Sequence, residues 1–122
     1  MYKTRTYAFD FDGVIAKYDG QFKGHDYAEE PIEEVIKTIR VLKERGNKII
    51  IYSTRGNNFL KEYCNKYDIP VDYFNENPNL EGENKGKPIA TVYIDDRGLR
   101  YIGQSSEKLI KELEDFKPYR QI

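Results

Sequence analysis

Two carboxylates near the amino terminus have the residue type and spacing of a catalytic pair. Asp10 and Asp12 lie in the sequence DFDGVI, directly after the run TRTYAF at 4–9. If that run forms a strand, side chains alternate along it, and both carboxylates point to the same side where the strand ends. A hard cation such as Mg²⁺, which prefers oxygen ligands, would relieve their repulsion. Gly13 then permits a sharp exit from the strand, although a solvated Asp-rich turn would also use these residues.

Apolar patterns predict strands and helices in alternation, which is typical of a parallel sheet with helices on its faces. The continuous apolar run KIIIYS at 48–53 predicts a strand buried on both faces and therefore central. Further strands are predicted at about 4–10, 71–74, 91–94 and near 100–102. Three helices are predicted. The first begins at Pro31, the second follows a cap at Asn57 or Asn58, and the third runs from about Ser106 to about Phe116.

Three of the predicted strands end in polar residues. In an open parallel sheet, ligands bind outside the carboxyl ends of the strands, so we expect these endings to meet in one crevice. Four carboxylates and a hydroxyl would then converge, and a divalent cation would resolve the repulsion among the like charges. The residues at the endings are Asp10 and Asp12, Ser53 and Thr54, and Asp95 and Asp96.

Composition limits the class of protein. The 122 residues fit one domain, spanning 1–122, and the 20 Lys and Arg against 21 Asp and Glu give no general attraction for nucleic acid or an anionic membrane. The single cysteine, Cys64, cannot form an internal disulfide, and no apolar stretch has the length of a membrane span. The amino terminus lacks the pattern of a signal peptide, so we expect a cytoplasmic location.

The chain resembles the haloacid dehalogenase superfamily of phosphatases, in the superfamily's order of four motifs. DFDGVI matches the first motif, YSTR at 52–55 the second, GKPIA at 86–90 the third, and IDDR at 94–97 the fourth. The resemblance implies a single doubly wound, Rossmann-like α/β sheet of strand order 3-2-1-4-5. The stretches 16–30 and 56–86 are too short for the folded cap domain that many members insert. We therefore expect an open site, closed only by a flap at Tyr18 to His25 or by a neighbouring subunit.

The resemblance also implies a role for each motif residue. Asp10 would be the nucleophile that forms an aspartyl-phosphate, and Asp12 the general acid and base. Ser53, or Thr54 if the strand runs one residue longer, would hydrogen-bond the transferring phosphoryl group, and Lys87, with Lys85 as the alternative, would offset its charge. The implied Mg²⁺ ligands are Asp10, the backbone carbonyl of Asp12, Asp95, and Asp96 either directly or through water.

These assignments leave alternatives open. Ser53 and Thr54 could cap the following turn, and Arg55 and Arg97 could grip a second anionic group of the substrate or form surface ion pairs. We predict a Mg²⁺-dependent phosphomonoesterase acting on a small phosphorylated metabolite such as a sugar phosphate. The alternatives are a polynucleotide or nucleotide end phosphatase, which the charge disfavours, and a weakly active phosphate-binding module that partners another enzyme. A homo-oligomer is left open, and no membrane association is expected.

Overall fold

The structure is a computed structural model that describes residues 4–78 and 88–118. These residues form an α/β fold with one parallel sheet of four strands and three helices. Along the chain the elements are β1 (Thr6–Asp10), α1 (Glu33–Glu44), β2 (Lys48–Tyr52), α2 (Asn57–Lys66), β3 (Tyr73–Phe74), β4 (Val92–Ile94) and α3 (Ser106–Asp115).

The strands lie in the order β3-β2-β1-β4, and every neighbouring pair is parallel. Strand β2 lies between β1 and β3, and its residues Ile49, Ile50 and Ile51 are fully buried. The interior position predicted from the apolar run is therefore confirmed. Such a strand needs apolar side chains on both faces because neither face contacts water.

One face of the sheet packs against both α1 and α2. Ile49 and Ile51 of β2 share a hydrophobic cluster with Ile39 of α1 and Leu60 of α2. The predicted apolar stripe of α2, including Tyr63 and Cys64, belongs to the same cluster, so the interpretation of these residues as core is confirmed. Gly46 ends α1 with a positive φ of 84°, as its sequence position predicted.

The opposite face is covered differently. The side chain of Tyr93 lies on this face, since Tyr93 pairs with Ala8 of β1, and its hydroxyl donates to the Pro88 carbonyl at 2.7 Å. Helix α3 has no buried residue, and its Ile110 and Leu113 are exposed. Helices α1 and α2 therefore supply the helical residues of the hydrophobic cluster, and both lie on the other face of the sheet.

Two further sequence expectations are corrected. The predicted fifth strand near 100–102 does not form. The backbone there is hydrogen-bonded instead by the Gln104 side chain, which accepts from the Ile102 N–H at 2.7 Å and donates to the Arg100 carbonyl. Helix α2 is not capped by an asparagine either. Gly56 occupies the cap position, and the Asn57 side chain instead accepts a hydrogen bond from Asn75 at 2.8 Å.

No helix in the described ranges is long and apolar enough to cross a membrane. Residues 17–30 contain neither a helix nor a strand, and they include the predicted flap, Tyr18 to His25.

The core predicts a contrast between two isoleucine substitutions in helices. Ile39→Ala removes a fully buried side chain and should lower the free energy of unfolding by about 2–5 kcal/mol, since it leaves a cavity between α1 and β2. Ile110→Ala, at a position that is 54% exposed, should cost less than about 1 kcal/mol. Urea denaturation measures both, and equal losses would contradict the assignment of the core.

Candidate active site

Three aspartate side chains converge at the carboxyl ends of β1 and β4. Asp10 is the last residue of β1, and Asp95 and Asp96 directly follow β4. The parallel pairing of Phe9 with Ile94 brings the two strand ends side by side. One carboxylate oxygen from each aspartate lies within 4.8 Å of the other two. The convergence of these two strand ends, predicted from the sequence, is confirmed.

Asp10 and Asp96 are partly buried, whereas Asp95 is exposed. Burial, as the largest cause, raises the pKa of Asp10 to about 7; the Phe11 N–H, which donates to its Oδ1 at 2.8 Å, opposes that rise. The negative charges of Asp95, Asp96 and Asp12 raise the pKa further. Three carboxylates this close together provide hard oxygen donors for a divalent cation, and this donor set fits Mg²⁺.

Gly13 makes room for this cluster. Its φ is +85°, and a Cβ built on it would overlap Oδ2 of Asp96 and lie 3.2 Å from Cγ. The glycine is therefore required twice, once by the positive φ of the turn and once by the carboxylate that lies against it. The sequence predicted the turn but gave no sign of the contact with Asp96.

The carboxylate of Asp12 is directed elsewhere. Its Oδ2 accepts from Nε of Arg55 and its Oδ1 from Nη2, both at 3.0 Å, which is a two-pronged ion pair. The expectation that four carboxylates converge is therefore corrected to a cluster of three within the described residues. The physical reason is that a buried arginine requires an anionic partner, and Asp12 is the one it has.

The end of β2 is held by hydrogen bonds to a neighbouring strand end. The Ser53 N–H donates to Oδ1 of Asn75 at 2.7 Å, and Ser53 Oγ accepts from the Arg55 N–H at 3.1 Å. The Ser53 hydroxyl therefore caps the turn that follows β2, which was one of the two roles predicted for it. A hydroxyl that accepts one hydrogen bond can still donate its own proton. Thr54 is exposed beside it.

Arg97 lies at the margin of the site. Arg97 is exposed, and its backbone N–H donates to Oδ1 of Asp95 at 2.8 Å. Lys87 and its alternative Lys85 lie outside the described residues, while Pro88, which follows Lys87, is fully buried.

Sequence reasoning missed two residues that support the site. The Tyr52 hydroxyl donates to Oδ2 of Asp95 at 3.1 Å, and burial, followed by the charge of Asp95, raises the pKa of Tyr52. Asn75, directly after β3, holds the Ser53 N–H. A signal was present for Asn75, which is a polar residue at a strand end. The role of Tyr52 depends on the parallel register that pairs it with Asp10, which the sequence does not show.

Comparison with known proteins adds information on the fold alone. The chain matches no family model and no curated protein sequence. It is similar to the solved structure of a conserved protein from Bacteroides thetaiotaomicron, with a TM-score of 0.62 and 22% identity, over 96% of this chain and 95% of that one. The α/β architecture is thus shared with a protein of nearly the same length.

The contact between Gly13 and Asp96 predicts an unequal effect of two alanine substitutions. Gly13→Ala and Gly103→Ala both place a Cβ at a positive φ, 85° and 88°, and share a strain of about 1–2 kcal/mol. A Cβ at Gly103 would meet nothing within 4 Å, so Gly13→Ala should cost about 1–3 kcal/mol more. Urea denaturation in chelator measures the difference; equal losses would show that Asp96 moves aside freely.

The pKa of Asp10 predicts how metal-free stability depends on pH. Because the folded pKa of about 7 exceeds the ordinary pKa of 3.8 for an aspartate, the contribution of Asp10 to stability is fully present below about pH 4 and is lost as pH rises through about 7. In chelator, the protein should therefore lose stability relative to Asp10→Asn between about pH 4 and pH 7. Denaturation of both proteins at each pH tests this, and a constant difference would refute it.

Proposed function

We propose that this chain is a Mg²⁺-dependent phosphomonoesterase of the haloacid dehalogenase type, without a cap domain, and that its substrate is a small phosphorylated metabolite. The observation that carries the proposal is the cluster of Asp10, Asp95 and Asp96 at the carboxyl ends of two adjacent parallel strands. It joins the first and fourth motifs of the resemblance in space, although they are separated by most of the chain.

The partly buried Asp10 suits the role of nucleophile. Its carboxylate oxygen would attack phosphorus as the bond from phosphorus to the leaving oxygen breaks, which forms an aspartyl-phosphate. Attack requires the ionised carboxylate, whereas burial and the neighbouring charges favour its protonated form near neutral pH. Asp10, Asp95 and Asp96 would hold Mg²⁺, which when bound offsets these charges and those of the phosphoryl oxygens.

Asp12 would carry the proton transfers. It would protonate the leaving oxygen in the first step and accept a proton from the water that hydrolyses the aspartyl-phosphate in the second, which releases inorganic phosphate and restores Asp10. Both Asp12 oxygens face Arg55 in the structure. Arg55 occupies one lone pair on each oxygen, so proton transfer would use a remaining lone pair or follow loosening of the ion pair.

The hydroxyl and the cations around the cluster would bind the phosphoryl group. Ser53 lies at the end of β2, beside the end of β1, and its hydroxyl proton can be donated to a phosphoryl oxygen. Thr54, Arg97 and Lys87 retain their roles as predicted from the sequence.

Hydrolysis of a chromogenic aryl phosphate tests the activity. Turnover should require Mg²⁺ and stop in chelator, and Asp10→Asn should lower kcat/KM by at least about 1,000-fold because the nucleophile is lost. Asp12→Asn should lower it by about 100- to 10,000-fold through loss of proton transfer. Asp115→Asn, an exposed position on α3, is the matched control and should leave turnover unchanged.

A covalent intermediate gives a second readout. Borohydride reduction of protein quenched during turnover should modify Asp10, as located by peptide mass spectrometry. Undiminished turnover in Asp10→Asn would overturn the proposal. A screen of phosphorylated metabolites beside 3′- and 5′-phosphorylated oligonucleotides then separates the metabolite substrate from the nucleic-acid alternative.

A further inference from the structure

Arg55 is a buried cation inside an aromatic cage. The residue is 4% exposed, and its guanidinium carbon lies 5.1 Å from the ring centroid of Phe59, 5.4 Å from Phe11 and 5.7 Å from Phe22. Aromatic faces stabilise a cation at these distances. A charge removed from water in this way must also satisfy its N–H donors within the protein.

The donors of Arg55 connect two separate parts of the chain. Nε and Nη2 hold the two oxygens of Asp12, and Nη1 donates to the carbonyls of Gly24 at 3.2 Å and His25 at 2.9 Å. Gly24 and His25 are the last two residues of the flap, and Phe22 of the cage belongs to it as well. A single planar group therefore fixes both the flap and the Asp12 carboxylate.

The flap in this position leaves little space beside Asp12. The cavity that Asp12 and Arg55 share with Tyr18, Gln21 and Lys23 of the flap has a volume of about 10 Å³, which is room for roughly one water molecule. A phosphoryl group does not fit in this cavity unless the flap moves. Movement of Gly24 and His25 would remove the partners of Nη1 and leave part of a buried guanidinium unsatisfied.

We propose that Arg55 is a positioning residue that couples the flap to Asp12, so that opening the flap and releasing the Asp12 carboxylate are one event. The part of this inference that concerns proton transfer rests on the proposed function, whereas the mechanical coupling does not. Lysine cannot replace arginine in this role, because a single ammonium group lacks the planar fork that reaches two carboxylate oxygens and two carbonyls together.

Hydrogen exchange of the flap tests the coupling without reference to activity. Arg55→Lys should raise amide exchange in peptides covering 18–25 by about tenfold or more. Asp12→Ala should raise it as well, because Arg55 then loses the anion that orients it. The matched control is Arg40→Lys, since Arg40 also donates through Nη2 to two carbonyls, those of Tyr67 and Asp68, but lies away from the flap. Arg40→Lys should leave exchange of the flap unchanged.

Kinetics with the aryl phosphate test the positioning role. Arg55→Lys should lower kcat about 10- to 100-fold while KM changes less than about threefold, because orientation of Asp12 is lost rather than substrate affinity. If Asp12→Ala leaves amide exchange in the flap unchanged, the proposed coupling is overturned, whatever the activity of the variant. Should Arg55→Lys not fold, Asp12→Ala and Asp12→Asn decide by exchange alone. An inactive wild-type protein with a coupled flap would overturn the proposed function only.

Discussion

Repulsion among like charges is the constraint on which the site depends. The parallel register of β1 and β4 places Asp10, Asp95 and Asp96 within 4.8 Å of one another, and burial of Asp10 makes its ionisation harder still. The fourth carboxylate is neutralised separately, since Arg55 binds Asp12 with both prongs. The cluster therefore contains three carboxylates rather than four, and one divalent cation comes closer to balancing their charge.

Helix α2 serves both the core and the site. Leu60 and Cys64 pack in the hydrophobic cluster beneath the sheet, as an apolar stripe predicts. Phe59 and Tyr63, on the same stripe, also reach the segment after β1: Phe59 forms one wall of the cage around Arg55, and the Tyr63 hydroxyl donates to the Glu29 carbonyl at 2.7 Å. The helix thus connects the packed core to the segment beside Asp12.

Local pattern was sufficient to predict much of the fold. The apolar run of β2 predicted its interior position, and the glycine after α1 predicted the end of that helix, because both depend on residues close in sequence. The meeting of the carboxyl ends of β1 and β4 was predicted from the rule that parallel strands end at the same edge of a sheet. Tyr101 and Ile102, by contrast, have strand-like composition but are 67% and 69% exposed. The Gln104 side chain instead binds the backbone of this segment, at the Ile102 N–H and the Arg100 carbonyl.

The partners of the site residues could not be read from local pattern. Asp12 and Arg55 are 43 residues apart, and nothing near either residue indicates that they form an ion pair. The same holds for Gly13 and Asp96, whose contact depends on the register of two strands. That contact makes the two positions epistatic. Because aspartate is already the shortest acidic residue, a side chain at position 13 requires either that Asp96 shifts away from the turn or that position 96 loses its carboxylate.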